Sequence, residues 1–266
     1  MNQEGKASIT SFFVLTIIFT LPAYILVVLT GLNIILTPEM VFAFIPLAVI
    51  APISAALVLT YRKDGGIGVK KLLKRSFDYK RVKNKKWFWP TLLLMPLIFS
   101  LVLGVSSLLE QELLPAAMSF IATPILLIIF FISALCEQIG WMGYAFEPMC
   151  NRWGLFKSTI LLGIFWGLWH IPLYIFSIPG TEMIVAQVLT VIALRVLLVW
   201  LYSNTGKSVF IVILFHATYN VCMSVFPVNF VGNAIIMSII AALILYFWSR
   251  NQKAAVTPIA IDTKED

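Results

Sequence analysis

Four polar residues lie in stretches otherwise fit for lipid: Glu137 in CEQIGWMGY, His170 in FWGLWHIP, and His216 with Asn220 in FHATYN. Ionisable groups inside a bilayer cost about 2.5–3.5 kcal/mol each on insertion scales, so those that persist are candidates for function. A carboxylate and two neutral imidazoles make either of two devices. The carboxylate can take a proton from a water that a histidine holds or polarises, which is general-base hydrolysis. Alternatively Glu137, His170 and His216 can be three ligands of a zinc ion whose fourth position is water. Asn220, four residues after His216 on the same helix face, can offer its amide N–H to a developing oxyanion. Both devices cleave a bond with water. No H-E-x-x-H spacing is present, and the residues leave the two devices open.

The elements that must position these groups are membrane-spanning helices. Of 266 residues 61% are hydrophobic and only 12% charged, whereas soluble domains carry roughly 25% charged residues. A span needs about 20 mostly apolar residues, and eight runs qualify: 9–31, 41–61, 88–109, 120–146, 157–176, 184–202, 208–226 and 229–248. The expected fold is all-α, a polytopic integral membrane protein forming one membrane domain over residues 1–250, with a polar tail at 251–266.

Charge placement supports an even number of spans, because Lys and Arg favour cytoplasmic loops. With the N-terminus cytoplasmic, the inner segments hold Lys6, the eleven bases from Arg62 to Lys86, Arg152, Lys157, Lys207, Arg250, Lys253 and Lys264, or 18 of 19. The outer loops hold Glu39, Glu110, Glu112 and Glu182 and no base, and Arg195 lies within the sixth run. Both termini are then expected in the cytoplasm and the protein in a cell membrane, crossed several times. The net charge of +7 reports this topology, and no nucleic-acid partner is expected. The first run exceeds the signal-peptide h-region and is read as a retained span. Cys136, Cys150 and Cys222 lack paired spacing, which argues against a disulfide framework. The basic segment 62–86 opens with turn-like Gly65, Gly66 and Gly68 and continues as an amphipathic stretch from Val69 to Tyr79. It is read as a topology anchor, with anionic lipid as a candidate partner.

At about 1.5 Å per residue, Glu137 lies roughly 13 Å, His216 roughly 12 Å and His170 roughly 20 Å from the inner ends of their spans. The three groups can therefore meet in the inner half of the membrane. Gly140 and Gly143 on the fourth run, and Gly163 and Gly167 on the fifth, are spaced for close helix approach and are expected to bring Glu137 to His170. Trp141 and Trp166 are assigned to packing, and Arg195 to a structural role.

These residues resemble a family of intramembrane peptidases that includes the CAAX prenyl endopeptidases and bacteriocin-processing relatives, often called CPBP or Abi. Its first motif, EExxxR, corresponds to Glu137-Gln138-Ile139-Gly140-Trp141-Met142. Its second, FxxxH before a proline, corresponds to Trp166 through His170 followed by Ile171-Pro172, and its third, HxxxN, to His216 through Asn220. The resemblance covers residues from about 130 to 222. It implies hydrolysis of a peptide bond in a peptide or membrane-associated protein, with Glu137 and His170 activating water and His216 and Asn220 stabilising the oxyanion. No cofactor is firmly implied; zinc on Glu137, His170 and His216 is the metalloprotease alternative.

Two positions depart from the family pattern: Gln138 stands for the second Glu and Met142 for the Arg. Four apart on an α-helix, a Glu and an Arg would pair. Their joint loss removes a buried pair without stranding a charge. The same departures open a second class, a non-catalytic member that binds or regulates a membrane partner. A transporter is a weaker third, since no inverted repeat of broken spans is visible.

Overall fold

The structure, a computed structural model, describes residues 3–35 and 43–256. Glu39, Lys264, the start of the 41–61 run and the last ten residues of the expected tail lie outside the described residues, as do the side chains of Lys6 and Lys253. Ten α-helices are described: α1 (Gln3–Gly31), α2 (Ile45–Val49), α3 (Ala51–Lys74), α4 (Phe88–Leu108), α5 (Thr123–Gln138), α6 (Phe146–Trp153), α7 (Leu155–Ser177), α8 (Thr181–Asn204), α9 (Val209–Val225) and α10 (Phe230–Val256). Helix α10 thus continues into the segment expected to be an unstructured tail. No β-strand occurs among the described residues beyond an isolated bridge between Leu114 and Val228.

Seven helical stretches are long and apolar enough to cross a membrane, and the protein is an all-α polytopic membrane protein. Their outer faces are apolar stripes at helical spacing, such as Leu93–Leu97–Leu101 on α4 and Ile235–Ile239–Leu243 on α10, all exposed. Water would not tolerate such a belt, and a bilayer requires it. The remaining expected span, the seventh run, is α9, which at 17 residues falls at the short end of what crosses a bilayer. Burial explains its length. From Val209 to Val225 twelve of the seventeen α9 residues are buried and the rest are partly buried, so its surroundings are mainly other helices instead of lipid. This innermost helix carries His216 and Asn220.

The fourth span is not one regular helix. Between α5 and α6 the chain forms a π-helix over Ile139–Ala145, beginning two residues after Glu137. One-turn π segments widen the helix and are frequent where side chains must be re-aimed.

The glycines serve different contacts from those expected. At Gly140 a Cβ would fall 2.5 Å from the Pro52 carbonyl oxygen, so this glycine lets the π-helix touch the α3 backbone. Gly143 faces Leu72, also on α3, while Gly163 and Gly167 face Arg195, Ile192 and Val188 on α8. The contact between the fourth and fifth spans is therefore not a glycine seam. Each set of small residues instead seats its helix on a third partner.

The basic segment is woven into the site's scaffold. Gly65, with φ 61° and ψ −162°, breaks α3, and the chain after Lys74 folds through short 3₁₀ turns at Arg75–Phe77 and Tyr79–Arg81. Arg75 Nη1 donates to the Gly143 carbonyl of the π-helix at 2.8 Å, and its Nη2 donates to the Tyr202 hydroxyl at 2.9 Å. Asp78 closes the N-terminus of α9, accepting from Ser208 Oγ at 2.7 Å and from the backbone N–H groups of Val209 and Phe210 at 3.3 and 3.1 Å. First-turn N–H groups have no partner inside the helix, and a carboxylate there satisfies them and favours the helix dipole. Asp78→Ala is expected to cost about 0.5–2 kcal/mol of stability, the usual range for a lost N-terminal cap, read as a lower unfolding midpoint in detergent.

Candidate active site

Glu137 lies in the last turn of α5, His170 lies on α7, and His216 and Asn220 lie one turn apart on α9. All four line one cavity of about 280 Å³, together with Trp166, Tyr174 and Tyr219. The four residues therefore converge in space. Glu137 and His216 are almost wholly enclosed, at 4% and 3% exposure.

Trp166 ties the cavity together. Its indole Nε1 donates to Glu137 Oε2 at 2.7 Å, and its carbonyl oxygen lies 2.7 Å from His170 Nδ1. A carbonyl oxygen only accepts, so His170 carries its proton on Nδ1 and keeps the lone pair on Nε2. One residue on α7 therefore holds the carboxylate by one oxygen and sets the tautomer of the neighbouring imidazole. The ring of His170 is held by Tyr174, stacked at 5.3 Å between centroids with the planes 12° apart. Trp166 also meets the His216 ring edge to face at 5.1 Å.

The frame behind Trp166 and His170 comes from the first helix. Trp169 Nε1 donates to Thr20 Oγ1 at 3.0 Å, and the Tyr24 hydroxyl donates to the Trp169 carbonyl. Trp141, in the π-helix and assigned to packing from the sequence, is fully buried against Phe12 and Trp169 at centroid distances of 5.4 and 5.8 Å. Trp166 is different from that expectation. It shares a helix face with His170, and that spacing was the available signal, but only the fold places its N–H on Glu137.

Arg195 and Gln138 form a second layer. Arg195, at 0% exposure on α8, donates from Nη1 to Gln138 Oε1 at 3.0 Å, and its guanidinium lies 4.2 Å from the Trp166 ring centroid. Gln138 Nε2 lies 3.1 Å from His216 Nδ1. Position 138 therefore has a basic partner, supplied by α8 instead of by residue 142, which is a fully buried Met. Sequence spacing cannot show this contact, because it spans 57 residues and three helices.

The zinc alternative can be set against the donor geometry. Among the described residues no three His, Cys, Asp or Glu side chains are grouped as a metal site. One oxygen of Glu137 and one nitrogen of His170 are already bound to Trp166, and one nitrogen of His216 faces Gln138. Each of these contacts occupies one atom of its side chain, as the hydrogen bonds that orient metal-ligating residues also do, and leaves a second oxygen on Glu137 and a second ring nitrogen on each histidine.

Residues 119–222 match the family described as "Type II CAAX prenyl endopeptidase Rce1-like", a stretch that contains all four cavity residues. Over these residues the chain is similar to the Rce1-like family. It is also similar to the CAAX prenyl protease 2 of Methanococcus maripaludis, 26% identical over 215 residues, which covers 74% of this chain and 78% of that protein. That alignment is longer than residues 119–222, so it includes residues outside the stretch that the family matches. The matched family is described as one of endopeptidases.

Proposed function

We propose that the protein is an intramembrane endopeptidase of the glutamate type, acting in a cell membrane on a peptide or membrane-associated protein. The observation that supports it is the convergence of Glu137, His170, His216 and Asn220 on one cavity between the helices. A water held between the free oxygen of Glu137 and His170 Nε2 loses a proton to the carboxylate as its oxygen attacks the scissile carbonyl. The charge that forms on the carbonyl oxygen is met by N–H groups of His216 and Asn220. Collapse of the tetrahedral intermediate breaks the C–N bond, and the proton on Glu137 passes to the leaving amine. Water and peptide are thereby converted to acid and amine, with Glu137 returned to its starting state. Burial of Glu137 and His216, at 4% and 3% exposure, strengthens each of these electrostatic contacts.

The test is cleavage of a peptide library, with and without C-terminal isoprenyl groups, by the protein in liposomes. His170→Ala and His216→Ala are each expected to lower the rate by about 10²-fold or more while the protein still folds. A metal chelator is expected to leave the rate unchanged. Loss of activity in chelator, with recovery on added zinc, would replace the glutamate mechanism by a metallo one. Capture of a membrane partner without cleavage by the unaltered protein would favour the regulatory reading that Gln138 and Met142 raise.

A further inference from the structure

Gln138 is a departure from the family motif, yet both ends of its buried amide are engaged. Arg195 Nη1 lies 3.0 Å from Oε1, and a guanidinium can only donate. That contact fixes the amide orientation, with its oxygen towards Arg195. The other end is then an NH₂ group, which only donates, and it lies 3.1 Å from His216 Nδ1. A donor facing Nδ1 requires a lone pair there, and a neutral imidazole with its lone pair on Nδ1 carries its proton on Nε2. Nε2 is the polar atom left to the cavity that His216 lines.

We infer that Gln138, oriented by Arg195, holds His216 in the Nε2–H tautomer, so that His216 presents a donor and not a base to the reacting carbonyl. Arg195 is a positioning residue in this scheme and acts through Gln138. His170 is set the opposite way, with Nδ1–H donated to the Trp166 carbonyl and a lone pair on Nε2. The two histidines therefore hold complementary tautomers, one suited to handling the attacking water and one to the oxyanion. A glutamate at position 138 would act differently. A carboxylate accepts from both neighbours, so it would draw a proton onto His216 Nδ1. Glutamine at 138 is thus a chemical choice about His216 and not merely the loss of an ion pair.

The functional meaning of the tautomer rests on the hydrolytic reading above, but the tautomer can be measured without turnover. The chain has only two histidines, so histidine-selective ¹⁵N labelling of the whole protein in lipid nanodiscs gives four ring-nitrogen signals. The expected spectrum has two protonated nitrogens, His170 Nδ1 and His216 Nε2, and two bearing lone pairs. His170→Gln leaves one ring and makes the assignment unambiguous. In Gln138→Glu the lone-pair signal of His216 Nδ1 is expected to vanish and a protonated one to replace it, with His170 unmoved. In Arg195→Gln, where the partner can either donate or accept, His216 is expected to show a mixture. A protonated His216 Nδ1 in the unaltered protein would overturn the proposal, and so would an unchanged His216 in Gln138→Glu. If the tautomers are as expected but no variant affects cleavage, the hydrolytic reading fails and this assignment stands.

Discussion

Glu137→Gln is expected to lower the rate of peptide cleavage by about 10²–10⁴-fold, the range a positioned general base contributes. The substitution is chosen for what it keeps. An amide oxygen still accepts from Trp166 Nε1, which in the native protein donates to Glu137 Oε2 at 2.7 Å. Shape and volume are nearly unchanged in a cavity wall that is only 4% exposed. What is lost is the ability to take a proton from water and return it to the leaving amine, so the fall should appear in kcat with KM little affected. Glu137→Asp retains the proton acceptor but draws it back by one methylene, away from Trp166 and the water. It is expected to fall between the native protein and the glutamine variant. Single-turnover cleavage in liposomes, alongside unfolding midpoints for the three proteins, separates chemistry from folding. Retention of more than a tenth of the native rate by Glu137→Gln would remove Glu137 from the role of general base.

The parts of this site that sequence makes legible are those that lipid makes expensive. Glu137, His170, His216 and Asn220 stand out because apolar runs surround them, and rise per residue puts them at comparable depth. Their convergence follows from no local pattern, but it is what a small number of polar groups in a helix bundle must do to avoid lipid. The partners of these residues are hidden for a physical reason. Trp166 reads as one aromatic among many, since a Trp in a span is usually packing. Arg195 reads as a lone base on α8, and its bond to Gln138 joins positions 57 residues apart. The short α9 was delimited closely by its apolar run, 208–226 against Val209–Val225. By contrast the π-helix at Ile139–Ala145 was read as ordinary helix, because hydrogen-bond register leaves no trace in hydropathy. The glycines show the same limit. Spacing reveals that a helix is to be approached closely, but not by which neighbour, and here the approaches are by α3 and α8.

Gly140→Ala and Gly143→Ala, three positions apart in the same π-helix, are expected to behave very differently. At Gly140 the added methyl would stand 2.5 Å from the Pro52 carbonyl oxygen and 2.6 Å from its carbon. Both are backbone atoms, and no rotamer change can relieve the contact. The π-helix and α3 must separate, at a cost of about 1–3 kcal/mol for an overpacked interface. Glu137 is only three residues upstream, and a displacement of about 1 Å in a catalytic group can cost about 10²-fold in rate. Gly140→Ala should therefore lower both stability and cleavage. At Gly143 the nearest atom is Leu72 Cδ1 at 3.2 Å, the end of a flexible side chain that can turn aside. That variant should keep the native rate within a few-fold and unfold within about 1 kcal/mol of the native protein, as tolerated core changes do. Unfolding and cleavage measured in parallel decide the matter. Equal effects at the two glycines would mean that the π-helix does not rest on the α3 backbone at Pro52, and that the position of Glu137 is set by some other contact.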